Sequence, residues 1–247
     1  MPAKKIIIIG NTASMMLNFR SDLMSQLVRE GHEVFAFVSE FQEMEIQKLR
    51  NLSVSVVTYS LNRAGINPFS DLKTLFELKN KISKIKPDIV FSYFTKPVVY
   101  GSLAAKLAKI QKIVGMIEGL GSPFTEHKNG QTIKIKVIKF VQISLYRIVF
   151  PFLDKIIFLN KDDPIDLIGN HKIYHKHNAV EILGPIGLNL DNYSYKKWND
   201  SQEVSFIFVA RLLAEKGIHE NLEAAKIVKL KYPKANFKVI GGLDLEN

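Results

Sequence analysis

The chain contains no cysteine. That excludes a disulfide framework, a thiol nucleophile and zinc sites built on cysteine, and it fits a reducing compartment. No uninterrupted apolar run approaches the roughly 18 residues that a membrane span needs. The stretch Met1-Pro2-Ala3-Lys4-Lys5 leads only into Ile6 to Ile9 before Gly10, too short for the apolar region of a secretory leader. No internal repeat or low-complexity tract occurs. A G-x-G-x-x-G dinucleotide fingerprint is missing, since Gly10 stands alone in the first turn, Gly10-Asn11-Thr12-Ala13-Ser14. Zinc-finger spacing, RNP-like segments and basic-region heptads are absent too, so nucleic acid is not an expected partner. His171, His175 and His177 lie close together, but no cysteine or well-spaced carboxylate completes a four-ligand set. No metal site is expected.

Acidic residues are in short supply. The net charge is +10, and it is unevenly placed. Residues 1–200 hold 27 Lys and Arg against 18 Asp and Glu, and residues 201–247 hold 7 against 6. The excess lies in the first part, which points to an anionic partner such as a membrane surface or a lipid diphosphate. Apolar residues make up 47% of the chain, which argues against disorder.

Short apolar runs alternate with amphipathic stretches. Strands are expected at Lys5–Ile9, Glu33–Val38, Val54–Tyr59, Asp88–Ser92, Lys112–Ile117, Lys155–Leu159 and Ala179–Leu183. Helices are expected at Leu17–Arg29, Met44–Asn51, Phe69–Ile85, Val99–Ala108, Gln131–Leu153 and Asp162–Ile168. Ser14 or Asn18 is the expected cap of the first helix. This order specifies an α/β fold with a parallel sheet covered on both faces. Ligands of such sheets sit at the carboxyl ends of the strands. Asn11, Arg63, Lys96 and Glu118 all fall there, and Gly119 and Gly121 allow a ligand to approach the backbone beside Glu118. Glu118 can accept hydrogen bonds from ligand hydroxyls or take a proton from one, or it can be a solvated loop carboxylate. Gln131–Leu153 interleaves Lys134, Lys136, Lys139 and Arg147 with apolar residues. Each cation costs roughly 2.5–3.5 kcal/mol at mid-bilayer, so it does not span. It reads as a core helix with outward cations whose basic edge touches a membrane.

The stretch Val204 to Gly217, VSFIFVARLLAEKG, begins a second domain. Val204–Val209 suits a strand buried on both faces. Ile218, Leu222, Ala225, Val228 and Tyr232 then recur at helical spacing, and Asn236–Ile240 is a further strand. Arg211 and Lys216 lie between strand end and helix start. Free N–H groups and the positive dipole end favour an anion there, and the two cations add to it. The alternative is a loop with two solvated cations.

Ala210-Arg211-Leu212-Leu213-Ala214-Glu215-Lys216-Gly217 resembles the R-x4-K-G segment that opens the second domain of family-4 glycosyltransferases. Asn62-Arg63 with Asn67-Pro68, Glu118-Gly119-Leu120-Gly121 and the turn Gly184-Pro185-Ile186-Gly187-Leu188-Asn189 extend the likeness. It runs from residue 5 to residue 242. The first turn departs from it, having Asn-Thr-Ala-Ser where relatives are often glycine-rich, and many relatives carry His near Glu118. The resemblance implies a retaining enzyme of the GT-B fold. Residues 1–192 would form the acceptor-side Rossmann-like domain, 193–202 a linker, and 203–247 the opening of an incomplete nucleotide-sugar-binding domain. It implies that Arg211 and Lys216 hold the donor diphosphate, with no metal and no cofactor, the substrate being a UDP-linked sugar. The similar bacterial branch adds an N-acetylhexosamine or related sugar to a sugar on undecaprenyl diphosphate, which implies work at the inner face of the plasma membrane as a peripheral protein. The family's later carboxylate motif is absent, so residues 1–247 are expected to transfer little or no sugar. A non-catalytic fragment that binds acceptor lipid or membrane, and a sugar-nucleotide epimerase of the same architecture, stand as alternatives.

Overall fold

The computed structural model describes residues 2–62, 67–125, 130–197 and 204–242. Two compact units divide after Asn189.

The first unit is a seven-stranded parallel sheet. Its strands are β1 (Lys5–Ile9), β2 (Glu33–Val38), β3 (Ser55–Thr58), β4 (Ile89–Tyr93), β5 (Lys112–Ile117), β6 (Lys155–Phe158) and β7 (Val180–Ile182), in the spatial order β3-β2-β1-β4-β5-β6-β7. Every pairing is parallel, with Ile7 opposite both Phe35 and Val90. The helices are α1 (Ala13–Arg29), α2 (Glu43–Asn51), α3 (Pro68–Ile85), α4 (Ser102–Leu107), α5 (Ile133–Val149) and α6 (Asp162–Pro164). π-helical turns, Pro97–Gly101 and Ile165–Gly169, lead into α4 and follow α6.

Alternation along β1 shows why the sheet needs cover on both faces. Ile7 and Ile9 join Leu78 and Ile82 of α3, Ala104 and Ala105 of α4 and Tyr146 and Val149 of α5. Ile6 and Ile8 join Met16 and Met24 of α1 and Ile46 and Leu49 of α2 on the other side. Successive strand residues point to opposite faces, so an unbroken isoleucine run supplies both cores. The expected α/β class is what forms.

Two local expectations are corrected. Helix α1 starts at Ala13 rather than Leu17, and its cap is Thr12, whose hydroxyl accepts the Met15 N–H at 3.1 Å. Ser14 only meets the Thr12 hydroxyl, and Asn18 lies inside the helix. Asn11, just before the cap, is tied to the neighbouring strand. Its carbonyl accepts the Ser39 and Glu40 N–H groups at 2.8 and 3.1 Å and ties the first turn to the end of β2.

The second unit has β8 (Ser205–Val209), a 3-10 turn (Ala214–Lys216), α7 (Ile218–Lys231) and β9 (Asn236–Ile240). β8 and β9 pair in parallel, with Phe206 stacked on Phe237 at 4.7 Å. The expectation that Val204–Val209 is buried on both faces fails. Val209 is 71% exposed, and Phe206 and Ile207 are also exposed. A two-stranded sheet with a single crossover helix has too few layers to cover both faces of a strand.

Candidate functional site

Chain order reverses in the sheet between β1 and β4. In open parallel sheets such a reversal is where ligands meet the carboxyl ends of the strands. The residues just beyond β1, β4 and β5 therefore define the candidate site of the first unit.

Glu118 stands immediately after β5, and the structure gives it a partner that sequence reasoning missed. The Arg20 guanidinium, from α1, forms an ion pair with its carboxylate. Arg20 is only 3% exposed, and the Glu118 side chain 12%. The guanidinium also donates to the Phe19 carbonyl at 2.7 Å, contacts the Met116 sulfur at 3.3 Å and lies 4.5 Å over the Tyr93 ring. Arginine suits this position because its flat, weakly hydrated cation can stack on an aromatic face while bonding a carboxylate. Burial lowers the affinity of Arg20 for its proton, and Tyr93 acts in the opposite sense. Burial pushes the Tyr93 phenol well up, with Arg20 pulling it back. At the centre of this cluster the chain must be slim. A Cβ on Gly10 would sit 2.1 Å from the Tyr93 hydroxyl oxygen.

A signal for Arg20 was present in the sequence. Ala13, Met16, Arg20 and Met24 are the buried residues of α1, spaced three and four apart. A cation in that register must carry a partner inward, because an unpaired buried charge is expensive.

Gly119 and Gly121 have φ of 142° and 79°, values that side-chain-bearing residues rarely adopt. They turn the chain away directly behind Glu118. Asn11 lies at the end of β1 with its side-chain carbonyl oxygen buried and unpartnered. Lys96 follows β4, but its charge is engaged internally. Its ammonium donates to the Asn62 carbonyl at 2.7 Å and to Asp71 at 2.8 Å, and the Tyr100 hydroxyl donates to the other Asp71 oxygen at 2.9 Å. Lys96 thus fastens the loop after β4 to α3. Arg63 lies outside the described residues. The structure therefore brings Asn11, Glu118, Gly119 and Gly121 to the carboxyl end of the sheet, adds Arg20 and Tyr93, and uses Lys96 as a brace.

In the second unit, Arg211 comes two residues after β8 and Lys216 closes the 3-10 turn before α7. Both are exposed. Backbone bonds from Ala210 N–H to the Ile240 carbonyl (3.2 Å) and from Leu212 N–H to the Gly242 carbonyl (3.1 Å) carry the parallel ladder past the strand ends. This holds the Arg211 segment beside Gly241-Gly242. The arrangement places two cations and the first N–H groups of a 14-residue helix at one strand end, which is chemistry for an anion.

Among the described residues no group of three or more His, Asp or Glu is placed to hold a metal ion. His171 meets Phe124 edge-on instead. Burial, with Lys139 and Arg147 nearby, holds its imidazole below the ordinary range.

The glycosyl transferase 4-like family model matches residues 5–160. The Campylobacter jejuni N,N'-diacetylbacillosaminyl-diphospho-undecaprenol alpha-1,3-N-acetylgalactosaminyltransferase is 31% identical over 252 aligned residues, covering 97% of this chain and 64% of that protein. The capsular polysaccharide biosynthesis glycosyltransferase CapM of Staphylococcus aureus is 27% identical, covering 83% of this chain and 58% of its own. The chain thus spans less than two thirds of the length of either relative. Among solved structures, Anabaena HepE in complex with UDP and glucose superposes with a TM-score of 0.65 at 15% identity, over 98% of this chain and 62% of that one. A UDP-N-acetylglucosamine 2-epimerase from Listeria monocytogenes, so named provisionally, superposes at 0.62 with 14% identity, over 99% and 64%. The structural likeness shows an α/β fold of the GT-B type and does not separate transferases from epimerases. The family model decides that question of membership: the chain belongs to the glycosyl transferase 4-like family.

Proposed function

We propose that the chain carries the acceptor-side domain and the opening of the donor-side domain of a glycosyltransferase. It moves a sugar, an N-acetylhexosamine in the first instance, from a UDP-linked donor to a sugar on a polyprenyl diphosphate, in surface polysaccharide or glycan synthesis. The observation that carries this reading is the 31% identity to the Campylobacter enzyme across 97% of the chain, which includes both units. That enzyme's name specifies both a lipid-diphosphate acceptor and an N-acetylhexosaminyl product. Work on such an acceptor places the protein peripherally at the inner face of the plasma membrane, with an anionic membrane surface as its partner.

In the proposed step an acceptor hydroxyl oxygen attacks the anomeric carbon, the bond from that carbon to the diphosphate oxygen breaks, and the hydroxyl proton is released. Configuration is retained. Arg211 and Lys216 stabilise the charge that grows on the departing nucleoside diphosphate, a role that positioned cations perform without a metal. Glu118, paired with the Arg20 guanidinium, accepts a hydrogen bond from the acceptor sugar and orients it. A carboxylate whose charge is already neutralised by a guanidinium is a weak proton acceptor, so orientation suits it better than base catalysis.

The test has two readouts. Binding of UDP should weaken about tenfold for R211A and for K216A, as expected for loss of a charge-assisted contact. With labelled UDP-N-acetylhexosamine and a polyprenyl-diphosphate-sugar acceptor, any label that moves should appear in lipid-linked product. Label recovered as an altered free sugar nucleotide would establish the epimerase reading instead. Binding of acceptor lipid without any UDP affinity would establish the non-catalytic one.

A further inference from the structure

Helix α5 was expected to bury most of its apolar side and to present a basic edge. The structure divides it differently. Its second half buries Gln142, Ile143, Tyr146 and Val149 against the sheet. On the outer side Ile133 is 82% exposed and Phe140 68%, and Val137 and Ile148 are more than half exposed. At 100° per residue these four fall within an arc of about 80°. Lys134 flanks the arc on one side, and Lys136 and Arg147 flank it on the other, all three exposed. The helix carries no acidic residue. Because α5 connects β5 to β6 in a parallel sheet, its first turns lie at the carboxyl end of the strands, the end that bears Glu118. Helix α3, in the same layer, also starts at that end and exposes Phe69, Leu72 and Phe76.

An outward apolar stripe bordered by cations on both sides has no role in a water-facing helix. It matches the interface of an anionic bilayer, where apolar side chains reach the acyl boundary and lysine and arginine meet phosphates. No helix among the described residues is long and apolar enough to cross a membrane, so the helix lies in the interface plane. We infer that α5 seats the first unit on anionic phospholipid, with Ile133, Val137, Phe140 and Ile148 sunk below the headgroups and Lys134, Lys136 and Arg147 at the phosphates. The carboxyl end of the sheet, which bears Glu118, then faces the membrane, at the level where a lipid-borne acceptor presents its sugar. The inference rests on the membrane partner proposed above and adds the element and the orientation.

The experiment uses the 247-residue chain with vesicles of phosphatidylcholine alone or with 30% phosphatidylserine. Anionic vesicles should retain the protein at low salt and release most of it at 0.5 M salt, since charge attraction is screened within a few ångströms there. V137S/F140S should bind roughly tenfold or more weakly, the effect of withdrawing two large apolar side chains from the interface. K134E/K136E should lose the preference for anionic lipid. All these residues are exposed, so circular dichroism should remain that of the parent. In a W198F background, tryptophan at position 140 should be quenched by brominated lipid and tryptophan at position 44, on α2, should not. Anionic binding that V137S/F140S leaves intact, or quenching at position 44, would overturn this inference while leaving the membrane partner standing. No vesicle binding at all would overturn both. A concentration-dependent dimer abolished by V137S/F140S, without vesicle affinity, would assign the stripe to a second copy of the chain and refute the membrane seat.

Discussion

Replacing Arg20 with methionine keeps the apolar stem and removes the guanidinium. The carboxylate of Glu118 then loses its cation in a place where its side chain is 12% exposed, and the Tyr93 ring loses the charge lying 4.5 Å over it. Removing one member of a buried ion pair costs about 3–5 kcal/mol, because the other charge stays behind. A stranded carboxylate has one escape, which is to take up a proton. From an ordinary glutamate value of about 4.3, protonation at pH 7 costs about 3.7 kcal/mol, which caps this part of the loss. The escape has a signature. A carboxyl that is protonated in the folded state and ionised in the unfolded one makes the variant gain stability as pH falls, by up to about 1.4 kcal/mol per unit, until the unfolded value is reached. Urea unfolding of the first unit by circular dichroism at pH 7, 6 and 5 measures both quantities. The R20M deficit should be about 3–4 kcal/mol at pH 7 and should shrink steadily towards pH 5. R20M/E118Q should recover part of it, which gives the coupling directly. A deficit below 1 kcal/mol with no pH slope would show that the pair is solvated and that Arg20 does not hold Glu118.

K96M should destabilise the first unit by about 3 kcal/mol, since among the described residues Asp71 would keep the Tyr100 hydroxyl as its side-chain partner; K96M/D71N should cost less than K96M alone, and thermal unfolding reads both. Asp154 gives a pH effect of opposite sign. Burial pushes its carboxyl up, but the hydrogen bonds from Lys176 and the Ile113 N–H, with the charges of Lys176 and Lys112, outweigh burial and hold it below its ordinary value. A depressed carboxyl contributes stability above its unfolded value, about 3.9, and loses that contribution as pH falls through the folded value. D154N should therefore be about 1–2 kcal/mol less stable than the parent at pH 7, and the two urea midpoints should converge below about pH 4.

The sheet was legible because parallel strands buried on both faces leave a strong mark. Ile6 to Ile9 and Val34 to Val38 are continuous apolar runs, and the helices between strands repeat at a different period. Where the same rule was applied to Val204–Val209, it misjudged burial while placing the strand. An apolar run reports what a strand can bury and not how many layers surround it. The start of α1 was missed for another reason. Thr12 caps it while the Asn11 carbonyl gathers N–H groups from the end of β2, a contact between residues nearly thirty positions apart that no local pattern contains.

The candidate site shows the same division. Glu118 could be picked out from its place after a strand and before Gly119 and Gly121, because those signals are local. Lys96 could be picked out on the same grounds, yet its ammonium is spent on Asp71 and the Asn62 carbonyl. Charge at a strand end is therefore not sufficient evidence of a ligand contact; what matters is whether burial and a built-in counter-charge have already used it. By that criterion the strand-end loops of the first unit are braced by two internal ion pairs, Arg20 with Glu118 and Lys96 with Asp71, each joining a loop residue to a helix. Such bracing fixes where the Glu118 oxygens lie, so under the proposed function acceptor binding need not bear the cost of ordering them. Lys216 of the second unit and Lys134 and Lys136 of α5 are exposed. Under the proposed function they meet mobile anionic groups, a donor diphosphate at Lys216 and lipid phosphates at Lys134 and Lys136, so affinity there should fall with salt while the buried pairs of the first unit remain unaffected.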